Sequence, residues 1–210
     1  VLRSGALPVK VEIIETRTVG PTLGQDSKDK SQFAFVVGLG AVVLFMIFFY
    51  HLSGFIADVA LMAYTVMLLG ILYLMDATLT LPGVAGIILS IGMAVDANVL
   101  IFEHFKEEYQ VNRKSLRLAM DAGFKRAFTT IFDSNVTTLI AAGVLFFLGT
   151  GTIRGFAITL GVGTILSMFT AITLTQYLLK LMINSKLSEN PSLYGANGFM
   201  LGVKKKGDEK

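Results

Sequence analysis

The sequence predicts an all-α polytopic membrane protein of five transmembrane helices, with a short polar stem ahead of them. Three observations predict it. Of the 210 residues, 53% are hydrophobic and only 16% charged, against about 25% charged in soluble domains. The mean hydropathy is +0.67. The charges cluster between long apolar runs rather than spreading evenly. Each run is on the order of 20 residues or longer, enough for about 30 Å of helix, the thickness of a bilayer core. Cysteine is absent, which excludes a disulfide framework, a thiolate metal site and a cysteine nucleophile. His51 and His104 lie near span ends without metal-ligand spacing. The sequence holds no nucleophile–base pair, phosphate loop or metal motif, so no catalytic residue, metal, cofactor or nucleic-acid partner is expected. The chain starts at Val1 in polar sequence with no signal peptide, which predicts a fragment of a longer protein.

Residues 1–30 are polar and mixed. Val9–Glu15 alternates enough for a short strand, and Val19–Gly24 reads as a turn, with Gly20, Pro21 and Gly24 as breakers. Asp26–Ser31 is a charged lead-in, for which a short interfacial helix stays open but the sequence favours a linker. The first span, 31–50, is uniformly apolar and rich in Phe, and 51–54 is a very short turn. In the second span, 55–75, Asp58 sits close to the first turn, where an acid suits the helix dipole. A short acidic loop, 76–80, leads to the third span, 81–102, opened by Pro82 and Gly83. Residues 103–127 form a polar connection with six Lys and Arg. There Leu116, Ala119, Met120, Phe124 and Ala127 are spaced for an amphipathic helix lying at the interface. The fourth span is 128–148. The fifth, 153–183, is longer than a bilayer needs. Residues 184–210 form a polar tail with a Lys204–Lys206 cluster.

Five spans put the two ends on opposite sides. Loop 103–127 and the tail are rich in Lys and Arg, whereas 76–80 has none. The positive-inside rule therefore puts that loop and the C-terminus in the cytoplasm and the N-terminus outside.

Polar residues inside the spans are the functional candidates. Asp96 lies within the third span, Leu81–Glu103 (LPGVAGIILSIGMAVDANVLIFE), with Asn98 two residues on. An acid there costs about 2.5–3.5 kcal/mol on insertion scales, which marks it as a functional residue by default. Burial disfavours the charged carboxylate, and a carboxyl so poised can take and release a proton. The alternative is a static hydrogen bond to a neighbouring helix. Gly86 and Gly92 are expected to share a face with Asp96, so that a helix can approach closely and Asp96 points at protein rather than lipid. In the fourth span Asp133, with Thr130 and Thr137 on its face, and the adjacent line of Asn135 and Thr138 form a candidate polar network. Asp133 is expected nearer the interface than Asp96, with capping or packing and proton relay both open. Gly155, Gly161 and Gly163 of the fifth span read as helix-packing positions, and Arg154 as an interface anchor.

The motif LPGVAGIILSIGMAVDANVLIFE resembles the most distinctive segment of the SecD family of the bacterial Sec protein-export machinery. Leu2–Gly24 (LRSGALPVKVEIIETRTVGPTLG) resembles that family's passage from a large periplasmic domain into its second transmembrane helix. Gly123–Ala171 resembles its last two helices. The resemblance covers about 2–183. It implies a resistance-nodulation-division-type bundle, of which this chain holds helices two to six plus the stem of the periplasmic domain. It implies the cell inner membrane as location and, as partners, SecF as a pseudo-symmetric half, the SecYEG channel and an unfolded preprotein; the Lys-rich tail itself suits membrane lipid. It also implies use of the proton-motive force, with Asp96 as proton carrier and protons as the only coupling ion. Two further readings stay open: a non-titrating scaffold holding SecF and the channel together, and a small-molecule or lipid exporter of the same superfamily. One departure is FEHFKEE, which has His104 where family members often have an arginine.

Overall fold

The computed structural model describes residues 21–112 and 115–183, which are helical almost throughout. α1 runs Pro21–Leu74, α2 Leu81–Gln110, α3 Leu116–Leu148 and α4 Thr152–Phe169. α4 passes through a π-helical segment, Thr170–Thr175, into α5, Gln176–Ile183. Four helical stretches are long and apolar enough to cross a membrane: Gln25–Leu74 of α1, α2, α3 and the continuous rod Thr152–Met182. No strand occurs among the described residues. The expected strand Val9–Glu15, the stem as far as residue 20 and the tail 184–210 lie outside them.

α1 has 54 residues, and a straight rod of that length would reach about 81 Å, far more than one bilayer. It breaks at His51, whose φ of 49° and ψ of −117° are not helical. The two limbs fold back on one another. Ser27, Phe35 and Val36 of the first limb line the same groove as Leu69 of the second and Leu81 and Val84 of α2. Gly54 permits the fold-back, because a Cβ there would overlap the Met46 carbonyl oxygen. The expected spans 31–50 and 55–75 are thus the limbs of one broken helix. Pro21–Gly24, expected as a turn, is helical instead. A proline in the first turn lacks only an N–H that would have no partner there. Asp26–Ser31 continues the same helix, with Lys30 Nζ 2.8 Å from Asp26 Oδ2.

The largest departure from expectation is at 103–127. These residues are not a separate connection: α2 continues to Gln110 and α3 begins at Leu116. The amphipathic spacing is real, since Ala119, Met120, Phe124 and Ala127 are all buried. Their apolar stripe packs against α2 rather than a membrane surface, with Gly123 so close that a Cβ would lie 2.7 Å from Phe105 N. Arg126 then ties the two helix ends, 3.2 Å from Glu107 Oε1 and 3.1 Å from the buried Glu108. Asn112 Nδ2 donates to the same Glu108 at 2.9 Å. A helix persists beyond its apolar span where tertiary packing buries its stripe and polar neighbours take up its charges.

α2 and α4 pack through glycines and hydroxyls. A Cβ on Gly86 would overlap Thr159 Oγ1, and one on Gly163 would lie 2.5 Å from Ser90 Cβ. Tyr64, fully buried on the second limb of α1, donates its hydroxyl to Ser90 Oγ at 2.8 Å. Three helices therefore meet at Tyr64, Ser90 and Gly163.

Candidate functional site

Two contacts fix relative depth in the bundle. The Tyr64–Ser90 bond registers the second limb of α1 against α2, and the short connection 75–80 makes these helices antiparallel. Six residues along each towards the far end stand Asp58 and Asp96, both about 9 Å from the tie. The Gly123–Phe105 contact registers α3 against α2. Asp96 lies nine residues from it along α2 and Asp133 ten along α3, about 14 and 15 Å. Asp58, Asp96 and Asp133 therefore occupy one level. α3 starts twelve residues before the apolar run of 128–148, so Asp133 lies well inside the helix rather than at its first turns.

The same level holds the one cross-helix polar tie among the predicted site residues. Thr175 Oγ1, at the end of the π segment, donates to Asn98 Oδ1 at 2.9 Å, and both residues are buried. Single π turns inside α-helices frequently occur at functional sites. Asn135 is buried at 7% exposure, while Asp133, two residues away on α3, is exposed. Thr137 and Thr138 spend their hydroxyls within α3, donating to the carbonyls of Asp133 at 3.0 Å and Ser134 at 3.1 Å. The candidate network of Asp133, Asn135, Thr137 and Thr138 is thus split between two faces of one helix.

Asp96 is exposed in this chain. Exposed Ala85, Leu89, Asp96 and Glu103 and half-exposed Gly92 and Val99 form one stripe on α2. Their steps of four and three residues give the 3.5-residue period of a helix–helix seam. A Cβ on Gly92 would meet nothing within 4 Å. Gly86, expected on this face, is not. Six residues turn a helix by about 600°, some 120° short of two turns, and Gly86 faces Phe156 and Thr159 of α4 instead. Gly155 meets Thr80 Oγ1, with 2.9 Å to a built Cβ, and Gly161 has only an ordinary 3.8 Å contact with Ala142. Arg154 Nε donates to the Gly149 carbonyl at 2.9 Å.

Three features escaped the sequence reading. Tyr50 Oη donates to Glu103 at 3.0 Å, and Lys106 Nζ lies 4.3 Å from the centre of the Tyr50 ring. Tyr64 joins α1 to α2 through Ser90. Asp58 is buried at 6% exposure with neither carboxylate oxygen hydrogen-bonded among the described residues. The intrusion of Asp58 into an apolar run was the only available signal. Among the described residues no group of three His, Asp or Glu could hold a metal ion.

The family described as protein export membrane protein SecD/SecF, C-terminal, matches residues 4–185. The protein translocase subunit SecD of Acidaminococcus fermentans is 62% identical over 198 residues, covering 94% of this chain and 47% of its own length. That of Dictyoglomus turgidum is 57% identical over 183 residues, covering 87% and 46%. The chain thus spans about half the length of these curated relatives. The crystal structure of SecDF from Thermus thermophilus, a translocon-associated membrane protein, superposes with a TM-score of 0.77 at 39% identity, over 80% of this chain and 23% of its own. SecDF in a super-membrane-facing form gives 0.73 at 40%, over 86% and 24%.

Proposed function

The chain belongs to the SecD/SecF C-terminal family of protein export membrane proteins, and from that premise we propose that it is the membrane-spanning part of an accessory subunit of Sec protein translocation, driven by the proton-motive force. The observation that carries the reading is Asp96, an acid exposed at mid-helix on an open 3.5-residue seam beside Gly92. Bare to lipid, that acid is costly. A helix laid along the seam covers it and brings it a partner, so the working site lies between this chain and a second bundle. SecF is the partner that suits the family, with the pair docking on the SecYEG channel.

Counting the limbs of α1 separately gives five crossings, helices two to six of a resistance-nodulation-division bundle. The N-terminal end then carries the stem of a periplasmic domain, and the charged ends of α2 and α3 face the cytoplasm of an inner-membrane protein. Protonation of Asp96 removes a charge from the seam, and its release restores it. About 2.3 kcal/mol per charge per 100 mV is then at hand, enough to bias two helix arrangements that differ by a few kcal/mol. Movement relayed to the periplasmic domain acts on the unfolded preprotein.

The test is preprotein export and proton flux in vesicles holding the full-length protein, its partner and the channel. Asp96→Asn assembles normally by co-purification and loses both force-dependent export and flux. Unchanged export and flux in that variant reduce the chain to a scaffold.

A further inference from the structure

Asp58 is a buried acid that the mechanism above does not use. Its exposure is 6%, and both oxygens lack a hydrogen-bond partner among the described residues, as does Ser53 Oγ five residues before it. A cation could neutralise it, but those on the elements packed against α1 are engaged elsewhere. On α2, Lys106 pairs with Glu103, and His104 with Glu107. α4 carries only Arg154, held at the opposite end by the Gly149 carbonyl, and the π segment carries no charge. On α5, Lys180 lies 3.3 Å from Asp121. The acids of α2 do not approach Asp58 either: Asp96 is exposed, Glu103 binds Tyr50 and Lys106, and Glu108 binds Arg126. The titratable hydroxyls of Tyr50 and Tyr64 are taken by Glu103 and Ser90.

An ionised carboxylate with no partner in an apolar core is far costlier than a neutral acid there. We infer that Asp58 is a second proton-binding site of the membrane domain, loaded with a proton in the arrangement seen here and emptied when the helices around it repack. By the Tyr64–Ser90 register it stands at the level of Asp96, but it is buried where Asp96 is exposed. The positive-φ break at His51 lies seven residues before it on α1, and the π segment Thr170–Thr175 packs against α1. The loaded state rests on burial alone. The emptying rests on the proton-driven reading of this family.

Infrared difference spectroscopy of the full-length protein in lipid nanodiscs tests the loaded state through the C=O stretch of a protonated carboxyl. At neutral pH the wild type and Asp96→Asn show the band, and Asp58→Asn, the closest neutral mimic of the acid, lacks it. Asp58→Glu, which keeps a carboxyl, shifts the band, so the assignment does not depend on one variant folding. Identical spectra for wild type, Asp58→Asn and Asp58→Glu overturn the loaded site. Proton flux in vesicles tests the emptying. Asp58→Asn lowers it about a hundredfold, the lower end of what a positioned proton-transfer group contributes. Unchanged flux in Asp58→Asn beside lost flux in Asp96→Asn overturns the emptying and leaves the proposed function standing. Unchanged flux in both variants overturns the proposed function and the emptying together.

Discussion

Replacing Gly163 by alanine probes the point where three helices meet. The added Cβ would sit 2.5 Å from Ser90 Cβ, 2.6 Å from Ser90 Oγ and 3.0 Å from Tyr64 Oη. Carbon atoms pack best at about 3.5–4.0 Å, so roughly 1 Å must be found. Ser90 cannot supply it by rotating. Its hydroxyl donates to the Ile87 carbonyl at 2.8 Å and accepts from Tyr64 at 2.8 Å, and the residue is fully buried. α4 must therefore back away from α2, at about 1–3 kcal/mol for overpacking. Straining the Tyr64–Ser90 bond adds about 0.6 kcal/mol, the mean for such bonds in a membrane protein. Alanine's better helix propensity returns about 1 kcal/mol, leaving a net loss of about 1–3 kcal/mol. Reversible unfolding of the full-length protein in bicelles measures it. Gly92→Ala is the control: nothing lies within 4 Å of its Cβ, so it is as stable as wild type or up to about 1 kcal/mol more so. Adding Ser90→Gly to Gly163→Ala removes the colliding atoms, and the two changes then cost less than their sum. Gly163→Ala at wild-type stability would refute the close α2–α4 approach.

Two further changes test the register elsewhere. Gly123→Ala puts a Cβ 2.7 Å from Phe105 N and 2.8 Å from its Cα. These are backbone atoms that cannot rotate away, so the cost is about 3 kcal/mol. The ends of α2 and α3 part, and limited proteolysis cuts the 111–115 connection faster than in wild type; an unchanged cleavage rate would contradict the contact. Thr175→Val keeps the shape but removes the donor to Asn98 Oδ1, costing about 1 kcal/mol, whereas Thr175→Ser keeps it. Equal stability of Val and Ser variants in the same unfolding measurement would mean that the tie contributes nothing.

The apolar runs were legible in the sequence because hydropathy is a local property, and the four long apolar stretches follow them. The stripe Ala119, Met120, Phe124, Ala127 was legible as a stripe too. Its partner was not, because burial against α2 and burial against a membrane surface demand the same spacing. The height of Asp133 beside Asp96 was not legible for a related reason: it follows from the register of α3 on α2, which the Gly123–Phe105 contact shows. Asp58 looked like an ordinary first-turn acid because its burial depends on tertiary packing that local sequence does not show.

The glycines make the argument general. A small residue in a span announces that something comes close, but not whether the neighbour belongs to the same chain. Gly86 and Gly163 meet α4 and Ser90 within this chain, while Gly92, Gly38 and Gly40 meet nothing within 4 Å. Gly92 and Asp96 lie on one seam, so the surface where a neighbour is still owed coincides with the surface bearing the exposed acid. On the proposed function, the site at Asp96 is completed by a second bundle, whereas the acid at Asp58 is buried within this chain alone. Variants at Gly92 act on assembly with a partner, and variants at Gly163 on the fold of the chain itself.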